Sequence, residues 1–377
     1  MSKGRQITAV ALCAVMLSAG CASTESVSPP PPEVPDLQEQ IVRLSLSPMK
    51  QFEVEAKGFT ESWSDVCQDQ VVQQKELATL QDKWRIVVTS WARASVFSVG
   101  PTLDDNRKVR VSAWPVRPGL VDKQTHHLLG QASSLPANEV ARLVHQGSAA
   151  VQGLPALDFL LFAPGSERID QINKQSLAFC HAGLAISSYL HETSATLFSA
   201  WESWPVLNAA QSESRQLSDP RPLKETPAFH RLQDKLLNGL LSQIRHLNRD
   251  GVGSLFDYSN DPKGKQRNLH YPYSQYGTDS LKYSLEALST ALRSDSPLIT
   301  GLAEDSAHRS ALNNRINALL EDAGKLPIVT NGQPLSPEDV QTIQNLNLHL
   351  EGLYTLLESK LLPELGLTVD FNSEDGD

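Results

Sequence analysis

Apolar residues recur at three- and four-residue steps along most of this chain, and that period is the strongest limit on how it can fold. Leu77, Leu80, Trp84, Val87, Val88 and Trp91 form one series, and Leu232, Leu236, Leu240, Ile244 and Leu247 a second. Val340, Ile343, Leu346, Leu350, Leu353 and Leu357 form a third. Such a period puts each series on one face of an α-helix, and that face must be buried against other helices. The third series carries its own start signal: Ser336 to cap, Pro337 for the first turn and Asp339 to complete a capping box. The one β-like stretch is VRVSAW, Val109 to Trp114. The spacing predicts a long helix over about 50–97, ended by Gly100-Pro101, then an irregular stretch with short helices to about 165. A second long helix is expected over about 167–210, a further one to about 248, and three more near 277–293, 300–323 and 336–362. Long helices with mostly short connections make bundles, and the loop SDPRPLKETP (Ser218 to Pro227) divides them. The expected fold is all-α, with two helical bundles side by side: residues 40–217, including an irregular Trp-Pro segment, and residues 218–377.

The N-terminus addresses the chain to the cell envelope. MSKGRQ carries Lys3 and Arg5 without an acid, and the apolar run Ile7 to Leu17 is too short to span a bilayer. LSAGC (Leu17 to Cys21) resembles a bacterial lipobox, in which residues 1–20 are removed and the new N-terminal Cys21 is acylated, with palmitate among its chains. Residues 21–39, rich in Ser and Pro, read as an extended tether. Ala22 after the cysteine, by resemblance to bacterial lipoproteins, favours the outer membrane, with the folded part facing the periplasm. Loss of Lys3 and Arg5 takes the net charge from −10 to −12. An acidic chain without a Lys/Arg cluster lacks the positive face that nucleic acid requires. Apart from Cys13 in the signal and Cys21, the chain has Cys67 and Cys180, each in a segment read as a long helix. In an oxidising compartment they pair as a disulfide or stay as two buried thiols.

Several separated stretches resemble the imelysin-like family of the bacterial envelope. KWRIVVTSWARASVFSVGP (Lys83 to Pro101) is similar to the ending of the family's first helix, and RVSAWPVRPGLVDKQTHHLL (Arg110 to Leu129) to its Trp-Pro segment. VQGLPALDFLLF (Val151 to Phe162) matches the central motif region, and GLTVDFNSEDGD (Gly366 to Asp377) the ending of the lipoprotein branch. The resemblance implies two helical bundles related by internal pseudo-symmetry, with the functional site where they meet. It also implies a role in iron or other metal acquisition. The family is often filed among metallopeptidases.

The family motif, Gly-x-His-x-x-Glu, sets an imidazole and a carboxylate on one helix face, where both could ligate a cation. Here Gly153 keeps the glycine, Pro155 stands in place of the histidine and Asp158 in place of the glutamate. Pro155 suits a helix start, and Gly153 permits close backbone approach or an unusual dihedral. Asp158 either serves its own helix N-terminus or faces the cleft as part of a ligand or cation site, iron or another divalent cation being the candidate. The chain contains neither HExxH nor HxxE, and His181, His191, His246, His308 and His349 read as ordinary helix residues. His230 and Asp234, four apart, read as a surface contact. Trp114, together with Tyr273 and Tyr276 of HYPYSQYGTDS (His270 to Ser280), are further candidates for the cleft. The leading expectation is a non-enzymatic lipoprotein, held to the membrane by Cys21, that binds a metal, a metal-loaded species or an envelope protein between its bundles. A metallopeptidase and a purely structural envelope protein are the alternatives.

Overall fold

The computed structural model describes residues 37–68, 71–115, 119–164, 168–216, 226–329 and 332–369. The signal segment, Cys21, the expected tether up to residue 36 and the last eight residues lie outside them; residues 37–39, expected to end the tether, instead open the first helix. From Asp36 onward the chain forms one compact unit, and its described residues are helical, with no strand among them.

The first half is organised by α1 (Leu37–Val66), α2 (Gln74–Ala94) and α8 (Ser176–Glu202). The expected helix over 50–97 is in fact two, because the chain turns at Cys67-Gln68 and α2 starts afresh with a capping box between Gln73 and Glu76. The α1–α8 contact is close because Gly183 presents no side chain to it: a Cβ there would sit 2.1 Å from the Trp63 ring. Phe179 packs on the same indole at 4.8 Å, Thr60 Oγ1 donates across to Ser187 O at 2.8 Å, and Cys67 and Cys180 are joined as a disulfide. Around this core lie α3 (Arg107–Val111), α4 (Leu120–Ala132), α5 (Ala137–Gln146), α6 (Gly153–Phe162), α7 (Arg168–Lys174) and α9 (Pro205–Gln216). The segment VRVSAW is therefore not a strand. Val109 to Val111 end α3, and the backbone is extended only after them. The expected helix over 167–210 is likewise divided into α7, α8 and α9, with Pro205 restarting the chain just past Glu202.

The second half begins with α10 (Pro227–His246), capped by Thr226, whose hydroxyl accepts from Phe229 N. It widens into a π-helical turn, Leu247–Val252, before α11 (Gly253–Asn260) and the short α12 (Pro262–Lys265). After the loop of residues 266–276 come α13 (Gly277–Leu292), α14 (Ala307–Gly324), α15 (Pro337–Leu356) and α16 (Leu362–Glu364). Ser336 and Asp339 form the expected capping box. Each half packs chiefly on itself, and the two meet along α2 and α13, where Ser284 Oγ donates to Ala92 O at 3.1 Å. One continuous apolar core runs through both. Among the described residues no helix is long and apolar enough to cross a membrane.

The α1–α8 contact leaves no room for growth, since the Trp63 ring is itself fully buried. Gly183→Ala is expected to cost about 2 kcal/mol of stability through overpacking, read as a lower midpoint in urea unfolding at unchanged slope.

Candidate functional site

The site is built outward from the start of α6. Gln152, just before it, donates through Nε2 to Val144 O at 2.8 Å and Gly147 O at 3.2 Å, closing the end of α5. Gly153 then takes φ +69°, and a Cβ on it would stand 2.1 Å from Val111 O. The glycine thus serves both expected purposes, the left-handed dihedral and the close backbone approach. Pro155 lies in the first turn of α6, where it loses no helical hydrogen bond. Trp84 Nε1 donates to Leu154 O at 3.2 Å, fixing this turn on α2.

Asp158 is fully buried, and its partners are not on its own helix. Oδ2 accepts from Tyr273 N at 3.1 Å and Oδ1 from Ser274 N at 2.9 Å. A carboxylate of the first half thus holds two successive amides of the second. Burial pushes its carboxyl up to about 7, against the downward pull of Ser274 and the Tyr273 amide, and Asp122 adds a smaller upward push. Both oxygens are engaged by backbone, and among the described residues no group of three His, Cys, Asp or Glu side chains is placed to hold a metal ion. The carboxylate acts as a structural tie, and the geometry supplies no set of ligands around it.

The loop that Asp158 holds is the wall between two cavities. The smaller, about 30 Å³, is lined by Pro155, Asp158, Tyr273 and Asp122. The larger, about 300 Å³, lies on the other side of residues 269–272 and Trp114 and takes residues from both halves. From the first half come Lys108, Ser112, Trp114 and Pro115; from the second come Gln243, Arg245, His246, Arg249 and Asp250, with Ser280 and Ser284 of α13. Trp114 stacks on His270 at 4.7 Å and meets His246 edge to face at 5.6 Å. The π-helical turn contributes Leu247, Arg249, Asp250 and Gly251 to the lining. Asp250 Oδ2 lies 2.9 Å from His246 Nδ1 and 2.8 Å from Arg249. Burial raises the Asp250 carboxyl, but the hydrogen bonds from His246 and Arg249 outweigh it and hold the group at about 2.

Ser112 Oγ lies 2.9 Å from His270 Nε2 and 2.9 Å from the Tyr271 hydroxyl. The Ser112–His270 spacing is that of a nucleophile and its base, but burial, with His246 nearby, holds His270 down at about 3. A histidine so weakly basic is poorly matched to proton abstraction at neutral pH. The trio instead anchors the dividing wall, with the Tyr271 hydroxyl kept protonated by its burial.

The sequence candidates are thus distributed unequally. Trp114 lines both cavities, Tyr273 lines the smaller and packs on Phe159 at 5.3 Å, and Gly153 and Pro155 position the turn beneath. Tyr276 is turned into the core, with its hydroxyl 3.0 Å from Thr89 Oγ1 and its ring against Trp84 at 6.1 Å. His246 and Asp250 went unrecognised as a pair. Their i,i+4 spacing was visible, but nothing local distinguished it from His230 and Asp234.

The sequence profile of the family described as Imelysin matches residues 48–356. Two crystal structures share the fold. An imelysin-like protein from Psychrobacter arcticum 273-4 superposes with TM-score 0.67 at 18% identity, over 89% of this chain and 97% of that one. A chain described as an iron-regulated protein A precursor, from Parabacteroides distasonis ATCC 8503, superposes with TM-score 0.62 at 14% identity, over 85% and 93%. No curated protein sequence matches this chain.

Asp158 gives the site a pH dependence with a definite sign. Its carboxyl is raised in the folded state, from 3.8 to about 7, so the stability it contributes is fully present below pH 3.8 and is lost as pH rises through 7. Urea midpoints of the wild type minus those of Asp158→Asn are expected to fall steadily from pH 4 to pH 8. A constant difference would show that the carboxyl does not titrate in that range.

Proposed function

The chain belongs to the imelysin family, and from that premise we propose that it is an envelope lipoprotein that binds a ligand rather than cleaving one. The observation that carries this reading is the cavity of about 300 Å³, bounded by both halves and lined by convergent polar groups on an apolar floor. Such a space suits a bound small molecule. The lipobox at Cys21 would place it at the outer membrane, facing the periplasm. A link to iron or metal acquisition is supported by the family and by the name of the Parabacteroides distasonis neighbour. Histidine has given way to Pro155 in the family motif, and Asp158 is occupied by two amides, which favours binding over hydrolysis.

Casein and insulin incubated with the purified full chain, with and without EDTA, are expected to remain intact on mass spectrometry. Chelator-sensitive cleavage, together with zinc or iron retained at one equivalent by elemental analysis, would overturn the binding reading in favour of a metallopeptidase.

A further inference from the structure

His246 brings an imidazole with one uncommitted nitrogen to the wall of the larger cavity. It ends α10, lines the space, and has a mostly buried side chain. The other nitrogen is committed: Nδ1 lies 2.9 Å from Asp250 Oδ2, four residues further along the chain. Against its burial, hydrogen bonds from His246 and Arg249 hold the Asp250 carboxyl at about 2, so at neutral pH it is ionised and can only accept. The hydrogen of a neutral imidazole is thereby fixed on Nδ1, which leaves Nε2 with a lone pair. Among the described residues Nε2 has no hydrogen-bond partner. The Trp114 indole, edge to face with the ring at 5.6 Å and itself stacked on His270 at 4.7 Å, limits how far the imidazole can turn.

A carboxylate at one imidazole nitrogen is the arrangement in which histidine ligates a metal through the other, because it fixes the tautomer and raises the basicity of the free nitrogen. A bare metal ion has too few partners here. Asp250 is spent on His246 and Arg249, at 2.9 and 2.8 Å, and among the described residues no three His, Cys, Asp or Glu side chains are grouped to hold an ion. A metal held at this nitrogen must therefore bring most of its donors with it. The space suits such a ligand: it measures about 300 Å³, and Leu247, Leu255, Leu281 and Val329 give the organic part of a chelate an apolar surface to lie against. We propose that this cavity takes a metal already chelated by a small organic molecule, with His246 Nε2 supplying one further donor. The Nε2 lone pair forms a coordinate bond at the metal's open position, a water bound there leaves, and no electron is transferred. Asp158, occupied by two amides, takes no part.

This inference rests on the reading of the cavity as the binding site, so the experiment separates the two. The probes are zinc(II) salen, a compact chelate whose zinc accepts one axial donor, and nickel(II) salen, the same organic body around a square-planar metal that scarcely accepts one. Both are uncharged, so their comparison is blind to the charge of the lining. Titrated calorimetrically into the purified full chain, the zinc chelate is expected to bind about tenfold or more tighter than the nickel chelate, through its bond to the imidazole. That advantage should shrink to about threefold or less in His246→Gln, which keeps a polar side chain but has no imidazole. Ser254→Trp, which fills the cavity from the start of α11, should abolish binding of both probes. Equal affinities that are both lost in Ser254→Trp would overturn metal ligation and leave the cavity as the site. A zinc advantage that persists in His246→Gln would overturn the role of His246. Binding that survives Ser254→Trp, or no binding of either probe, would overturn both readings. Circular dichroism verifies that each variant is folded, and the wild-type comparison of the two probes decides metal ligation by itself if a variant is not.

Discussion

A carboxylate buried in the first half holds two amide hydrogens of the second, and the internal geometry of the molecule depends on that tie. A loop that crosses the interior with unpaired amides would carry a desolvation cost for each of them. Asp158 accepts from Tyr273 N and Ser274 N at once, which holds residues 269–274 between two cavities, with Tyr271 buried and its neighbours half-buried. The tie has its own cost, visible in a carboxyl pushed up to about 7 by burial. A short acid fits here because Gly153 has already drawn the start of α6 against Val111 O, with Pro155 in the same first turn.

The larger cavity follows from the same wall. On one side the wall is held by Asp158, and on the other by Ser112, which reaches both His270 and Tyr271. Opposite it, the π-helical turn after α10 carries Arg249 and Asp250 toward the space, next to His246. Among the described residues no three His, Cys, Asp or Glu side chains are grouped to hold a metal ion, and the Ser112–His270 contact involves a ring held near pKa 3. The polar groups are arranged as a lining, with hydroxyls and cations around an apolar floor, and that arrangement suits recognition.

Much of the fold was legible in the chain. The 3.6-residue period gave the helical class, and Ser336, Pro337 and Asp339 located the start of α15 and its cap. Continuous periodicity concealed the breaks near Cys67 and Glu202, because a turn of a few residues leaves the apolar stripes on either side unchanged. The segment VRVSAW alternates like a strand, yet its first part completes α3, since three residues of alternation are too few to outweigh packing on α8. In the site, Gly153, Pro155, Asp158 and Trp114 stood out because a glycine, a proline, a lone acid and a tryptophan in such settings each need a local explanation. His246, Asp250, Lys108 and Arg245 did not, because on an amphipathic helix they look like any solvated face.

The sequence by itself determined that this chain is helical, where α15 is capped, that one acid interrupts an apolar helix, and that it carries the family's motif without its histidine. These are local facts, set by side-chain type and spacing. The tertiary structure alone decided what the acid is for. Its partners lie 115 and 116 residues away, and only packing α2 against α13 brings them within hydrogen-bonding distance. The same packing gathers cations from α3 and α10 around one space, because charges that are scattered along an acidic chain become neighbours only when the two halves close on each other.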